Sequence, residues 1–265
     1  MMRVCPLFSG SSGNSYYIEF SNKNGILVDA GRSTKQLENM LRRNNISICN
    51  ISSVFITHEH SDHVSALKVL IKKYNLKLYT SKETLDALIK KDLISEKTSF
   101  SILDKRNTDL GFVSVEAFSI SHDCCGGFGY VFTDITGEKV AVCTDLGYIS
   151  DEVKNSLKGC RTVLLESNHD VMMLENGKYP YYLKRRILSE KGHLSNETSA
   201  KFLPFLVNNG TKNILLSHLS SNNNIPELAL QTCKYYLNKE GVSVGKDVFL
   251  NIAPKENFEM VDIKI

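Results

Sequence analysis

The chain is short of several things, and each shortage removes a class of protein. Only five prolines occur in 265 residues and no low-complexity stretch interrupts them, so no segment is too polar or too repetitive to join a packed core. No apolar run approaches the roughly 20 residues that cross a bilayer. Stretches such as Lys139 to Cys143 and Thr162 to Leu165 end after a few residues, and no membrane partner is expected. The N-terminus lacks the basic-then-apolar pattern of an export signal. Seven cysteines (5, 49, 124, 125, 143, 160, 233) form an odd set without a Cys-x-x-Cys pair. Reduced thiols in a cytoplasm fit this usage best. Excess charge is also lacking: a net +3 is too little for a protein that coats polyanions, though it leaves room for a local basic patch.

What remains is ordinary globular composition, 42% hydrophobic and 23% charged. The length fits a single domain over 1–265. Ser15 to Phe20, a turn at Asn24-Gly25, and Ile26 to Val28 running into Asp29-Ala30-Gly31 read as a hairpin. Ser33 to Arg43 reads as a helix capped by Ser33 or Thr34, followed by a short buried strand at Val54 to Ile56. After it, Val64, Leu67, Leu70, Ile71 and Tyr74 recur at the spacing of one amphipathic helix. Further strands are expected at Leu76 to Tyr79, Val113 to Ile120, Gly129 to Phe132, Lys139 to Cys143, Val163 to Leu165 and Ile214 to Leu216, with a helix near Lys82 to Lys90. Alternating strands and helices with polar residues at strand ends imply a layered α/β sheet structure whose loops build one site. Periodicity alone does not separate this from a Rossmann-type sheet.

The run His58-Glu59-His60-Ser61-Asp62-His63 stands at a strand-to-helix junction. His58 and His60 are two apart, so in extended chain both rings face one way and reach one metal. Asp62 and His63 turn to a second face, so one loop can serve two ions at the roughly 3.5–4 Å spacing of binuclear hydrolases. Such a density of histidine and carboxylate is costly to assemble unless a metal satisfies it. A plain polar surface loop is the bland alternative.

Thr57 to His63 resembles the His-x-His-x-Asp-His motif of the metallo-β-lactamase superfamily, and the order of the remaining residues is similar over nearly the whole chain. That resemblance implies an αββα four-layer sandwich. It implies that His58, His60 and His122 hold one divalent ion, that Asp62, His63 and His218 hold a second, and that Asp145 joins them. Asp29 corresponds to an early aspartate that supports the histidine loop without binding metal. A metal-bridging hydroxide would then be the nucleophile, with Asp62 part of the catalytic set. Histidine and carboxylate ligands accept zinc, manganese or iron. Penicillinase activity is not expected, because lactam-cleaving members often carry cysteine where Asp145 stands and are normally exported.

Glu166 and His193, the latter in Gly192-His193-Leu194-Ser195-Asn196, resemble an acid and a histidine of phosphodiesterase members such as tRNA-processing nucleases. Expelling an alkoxide benefits from a histidine of near-neutral pKa held by a carboxylate. His193 could instead be a loop residue before a helix capped by Ser195 or Asn196. His169, three beyond Glu166, is left open between a supporting and a structural role.

Within the superfamily, the chain resembles the YycJ type, also called VicX or WalJ, which lacks the inserted β-CASP domain of larger nucleases. The resemblance is carried by Ser9 to Ser15, Glu166 to Asp170, and Tyr179 to Ser189 leading to Gly192 to Asn196. It implies a 5′-to-3′ exonuclease on double-stranded DNA with a part in DNA repair. Lys184, Arg185, Arg186 and Lys191 beside Tyr179, Tyr181 and Tyr182 offer phosphate pairing and base stacking, or simply form a solvated basic helix. Ser12 and Asn14, in the Ser9 to Ser15 loop, belong either to a phosphate cradle or to a tight turn. The loop does not match a Gly-x-Ser-x-Gly elbow, so a serine nucleophile is not indicated. Cys124-Cys125 follows His122-Asp123 where relatives carry small residues and a proline. These thiols are either inert or able to bind a soft metal and oxidise. The competing functional reading is a small-molecule hydrolase of a thioester or cyclic phosphodiester.

Overall fold

The structure is a computed structural model that describes residues 2–105, 107–258 and 263–264. The chain gathers into two compact units, one drawn from Met1–Ser119, Cys124–Glu138 and Pro254–Ile265, the other from Ile120–Asp123 and Lys139–Ala253. Among the described residues no helix is long and apolar enough to cross a membrane.

In the first unit, β1 (Arg3–Phe8), β2 (Ser15–Glu19) and β3 (Gly25–Val28) form an antiparallel meander. Then come α1 (Thr34–Arg43), β4 (Ile51–Phe55), α2 (Ser61–Val64), α3 (Leu67–Tyr74), β5 (Lys77–Thr80), α4 (Lys82–Lys90), β6 (Phe100–Ile102), β7 (Thr108–Asp109), β8 (Val113–Ser119) and β9 (Phe128–Asp134). β4, β5 and β6 extend the meander in parallel, giving the order β1-β2-β3-β4-β5-β6, and the short strand Ile263–Lys264 pairs with β1.

Side chains alternate along β4, and that alternation separates two layers of core. Val54 and Ile56 pack with Leu37, Met40 and Leu41 of α1, Leu67 and Leu70 of α3, and Leu85 and Leu88 of α4. Phe55 points the other way, stacking on Tyr79 at 4.7 Å and meeting Tyr130 and Phe132 of β9 edge-on at 5.6 and 5.0 Å. Within this unit, helices thus cover one face of the sheet, and the antiparallel β8–β9 pair covers the other. Each such buried ring or aliphatic side chain contributes roughly 1.5–3 kcal/mol.

The second unit contains β10 (Lys139–Cys143), α5 (Asp151–Leu157), β11 (Thr162–Glu166), α6 (Val171–Asn176), α7 (Tyr181–Ile187), α8 (Asn196–Asn208), β12 (Asn213–Ser217), α9 (Pro226–Lys239) and β13 (Phe249–Ile252). Its strands are parallel and joined through helices, as parallel pairing requires. Val140 to Cys143, Val163 to Leu165 and Ile214 to Leu216 are fully buried, the continuous apolar pattern of strands covered on both faces. In register, Cys143 pairs with Leu165, Leu165 with Leu216, and Glu166 with Ser217. The carboxyl ends of β10, β11 and β12 therefore finish level, at the edge where open α/β sheets carry their sites.

Candidate metal centre

In the first unit, β4 delivers Ile56 and Thr57 into the motif, and α2 begins after His60, which occupies its N-cap position. His58 and His63 are fully buried. Their ring centroids lie 4.1 Å apart, and His58 Nε2 stands 3.0 Å from His60 Nδ1. Asp29, in left-handed backbone (φ 63°) after β3, anchors the motif. Its carboxylate accepts the Thr57 N–H at 2.8 Å and the Thr57 hydroxyl at 2.9 Å, and it meets His63 Nδ1 at 2.7 Å. Burial pushes the Asp29 pKa up, while His63 and Thr57 pull against it. Three imidazoles and two carboxylates this tightly gathered match the donor set of a divalent-metal site, Asp29 bonding to His63 as an outer carboxylate does.

Asn14 adds a contact that the sequence alone did not reveal. Its buried amide is directed at Asp62 Oδ2 (3.2 Å) and His63 Nε2 (3.1 Å), and its carbonyl oxygen accepts from Gly10 N–H at 2.9 Å. Asn14 therefore brackets two motif residues, while Ser12 is exposed on the loop. Gly31 leaves the space this needs: a Cβ there would lie 2.1 Å from Asp62 O and 2.4 Å from Asn14 N. Glu59 faces another way, accepting from Cys125 N–H at 3.2 Å and, through its carbonyl, from Lys91 Nζ at 2.9 Å. Hydrogen bonding to Glu59 raises the Cys125 pKa, which makes this thiol a poor thiolate.

The second unit brings Asp145, Glu166, His193 and His218 together, with potential ligand atoms within 4.8 Å of one another. Asp145 (φ 62°) and His218 (φ 56°) adopt left-handed backbone just beyond β10 and β12, where their side chains meet those of Glu166 and His193. Glu166 ends β11, fully buried. Its Oε1 meets His193 Nδ1 at 2.7 Å and His218 Nδ1 at 3.0 Å, while Oε2 accepts Leu146 N–H at 2.7 Å and Leu194 N–H at 3.2 Å. Burial raises the Glu166 pKa, but the two histidines, His193 foremost, more than reverse this and hold it well below the usual carboxylate range. His122 donates from Nδ1 to Gly192 O at 3.1 Å and packs 4.8 Å from the His193 ring. Burial lowers its pKa, against the opposing pull of Asp145.

Arg186 forks onto Asp123, one bond measuring 2.8 Å, and Lys184 Nζ donates to Glu175 O at 2.8 Å. Arg185 lies over the Tyr181 ring, 5.9 Å from its centroid. The sequence gives no sign of the Arg186 tie, because Asp123 lies 63 residues away.

Comparison with known proteins identifies the family. The model of the metallo-beta-lactamase superfamily matches residues 9–186. The chain is 40% identical over 243 residues to exodeoxyribonuclease YycJ of Bacillus anthracis, covering 91% of this chain and 90% of that protein. It is 39% identical over 246 residues to exodeoxyribonuclease WalJ of Streptococcus pneumoniae serotype 2, with the same coverage. Among solved structures, the metallo-beta-lactamase fold protein YhfI from Bacillus subtilis superposes with a TM-score of 0.69 at 16% identity, covering 96% of this chain and 97% of its own. The chain belongs to the metallo-β-lactamase superfamily, has its α/β fold, and is of the YycJ/WalJ type.

Proposed function

We propose that this metal-dependent hydrolase of the superfamily is a binuclear phosphodiesterase, a 5′-to-3′ exonuclease on double-stranded DNA with a part in DNA repair. The named activity of the YycJ and WalJ relatives, at 40% and 39% identity over nine tenths of the chain, supports a nuclease. The observation that carries the phosphodiesterase reading is the Glu166–His193 pair, at 2.7 Å. A cytoplasmic setting belongs to the same reading, supported by seven free cysteines.

By the superfamily pattern, His58, His60 and His122 would hold one ion and Asp62, His63 and His218 a second, with Asp145 as a further ligand. When bound, such ions activate a water as nucleophile and neutralise charge developing on the phosphate. Zinc, manganese and iron all suit these ligands. The protein's own chemistry lies at the leaving group. Glu166 stays ionised and engages His193 Nδ1, which leaves Nε2 to carry a proton to the departing sugar oxygen. With its side chain 14% exposed, His193 keeps a path to a substrate. Thr57 and Asn14 fix the rings and carboxylate of the motif, so little reorganisation is needed on binding.

The test is digestion of end-labelled duplex DNA, single-stranded DNA and RNA by protein reconstituted with zinc or with manganese, beside an Asp62→Ala control. The expected result is stepwise shortening of the duplex from its 5′ ends, lost in Asp62→Ala and with a chelator. Absence of nucleic-acid cleavage with either metal, alongside turnover of a thioester or cyclic phosphodiester, would overturn the proposal.

A further inference from the structure

Large apolar side chains are normally scattered singly over a protein surface, and a cluster of them marks a binding surface. Met172 (64% exposed), Tyr181 (74%), Tyr182 (75%) and Leu188 (45%) lie within one short stretch of the second unit, on and beside α7. Tyr181, Lys184, Arg185 and Leu188 follow the i, i+3, i+4, i+7 spacing of one helix face. With Glu175 of α6 they line an open depression of about 240 Å³. Helix propensity gives no reason for two exposed tyrosines here, since tyrosine ranks below leucine, lysine and arginine.

The cations of α7 are not equivalent. Arg186 is tied to Asp123 and Lys184 to the Glu175 carbonyl, whereas the Arg185 guanidinium lies over the exposed Tyr181 ring. The helix Tyr181–Ile187 contributes three cations and no carboxylate, so against the single carboxylate of Glu175 the lining keeps a positive excess that complements a polyanion. The helix is also fixed to the catalytic loop. His193 N–H bonds to Ile187 O at 3.0 Å, and a Cβ on Gly192 would lie 2.1 Å from that same oxygen, so the helix end packs directly against the loop that carries His193.

We propose that the exposed side of α7, the face of Tyr181, Arg185 and Leu188 together with the adjoining exposed Tyr182, is the docking surface for an unpaired nucleic-acid strand, its bases stacking on Tyr181 and Tyr182 and a phosphate meeting Arg185. The proposal rests on the nuclease reading and deepens it, because successive base faces are open to ring stacking only along an unpaired strand, whereas a blunt duplex offers just its terminal pair. The preferred substrate is then a duplex whose end is frayed or carries an overhang, gripped by its single-stranded tail.

The test is fluorescence anisotropy with metal-loaded protein and a cleavage-resistant phosphorothioate duplex, blunt or with a short overhang. For the Tyr181→Ala/Tyr182→Ala double variant, the Kd for the overhang duplex is expected to rise about tenfold or more, with little change for the blunt one. The Tyr181→Phe/Tyr182→Phe variant should keep wild-type affinity, because stacking uses the ring and not the hydroxyl. Thermal melting verifies folding, which the exposed sites and alanine's helix propensity should preserve. An unchanged Kd for the alanine pair overturns the docking surface and leaves the nuclease reading standing. Equal losses on both duplexes overturn the preference for an unpaired strand. Wild-type protein that binds neither duplex, yet hydrolyses small phosphodiesters, overturns the nuclease reading and this surface together.

Discussion

His169 stands three residues beyond Glu166, 1% exposed, with neither ring nitrogen hydrogen-bonded within the described residues. Burial lowers its pKa from 6.5 to about 4, against an upward pull from Glu166. The folded state therefore resists the proton that the unfolded chain accepts. Its contribution to stability is complete above pH 6.5 and is lost as the pH falls toward 4, by up to about 3 kcal/mol. Urea unfolding between pH 7 and about 4.5 should show a smaller acid loss for His169→Gln than for wild type. Equal losses would show that His169 does not titrate with folding. At this scale the sequence was eloquent about His58 to His63, because six adjacent residues carry their own chemistry. It was ambiguous about Asn14, whose amide reaches Asp62 and His63 only once β2, β3 and α2 have folded together.

Elements followed their local patterns where local physics decided them. α4 (Lys82–Lys90) and β10 (Lys139–Cys143) match the expected bounds, and Ser33 caps α1 through a capping box with Gln36. β1 was not legible because Pro6 interrupts its pattern. The strand accommodates the proline at a register shift between Pro6 and Phe8, where a missing N–H is tolerated. The single amphipathic helix expected after the motif is instead split into α2 and α3. The Ala66 N–H bonds to Ala30 O at 2.8 Å, a tertiary contact that takes the donor from the helix. β4 carries the motif and depends on Phe55, which contacts Tyr79, Tyr130 and Phe132. Phe55→Ala should cost about 3–5 kcal/mol in urea unfolding. A loss below roughly 0.5 kcal/mol, the range of ordinary surface changes, would mean that this aromatic layer does not hold the strand.

For the whole molecule, strand and helix alternation alone left a Rossmann-type sheet open, and the histidine motif decided between the two. The order of the later residues then pointed to Asp145, Glu166, His193 and His218, which the level ends of β10, β11 and β12 and the loop before α8 bring into one cluster. Periodicity could not reveal how closely Glu166 and His193 approach Asp145 and His218. All four offer atoms within ligand range, so proximity alone allows His193 to be a metal ligand or a proton donor. In the proposed mechanism His193 is the proton donor. The decisive measurement is metal content per chain together with DNA cleavage for wild type and His193→Ala. A proton-donating His193 predicts two ions per chain in both proteins and cleavage only in wild type, whereas loss of an ion from His193→Ala, or undiminished cleavage by it, would contradict that role.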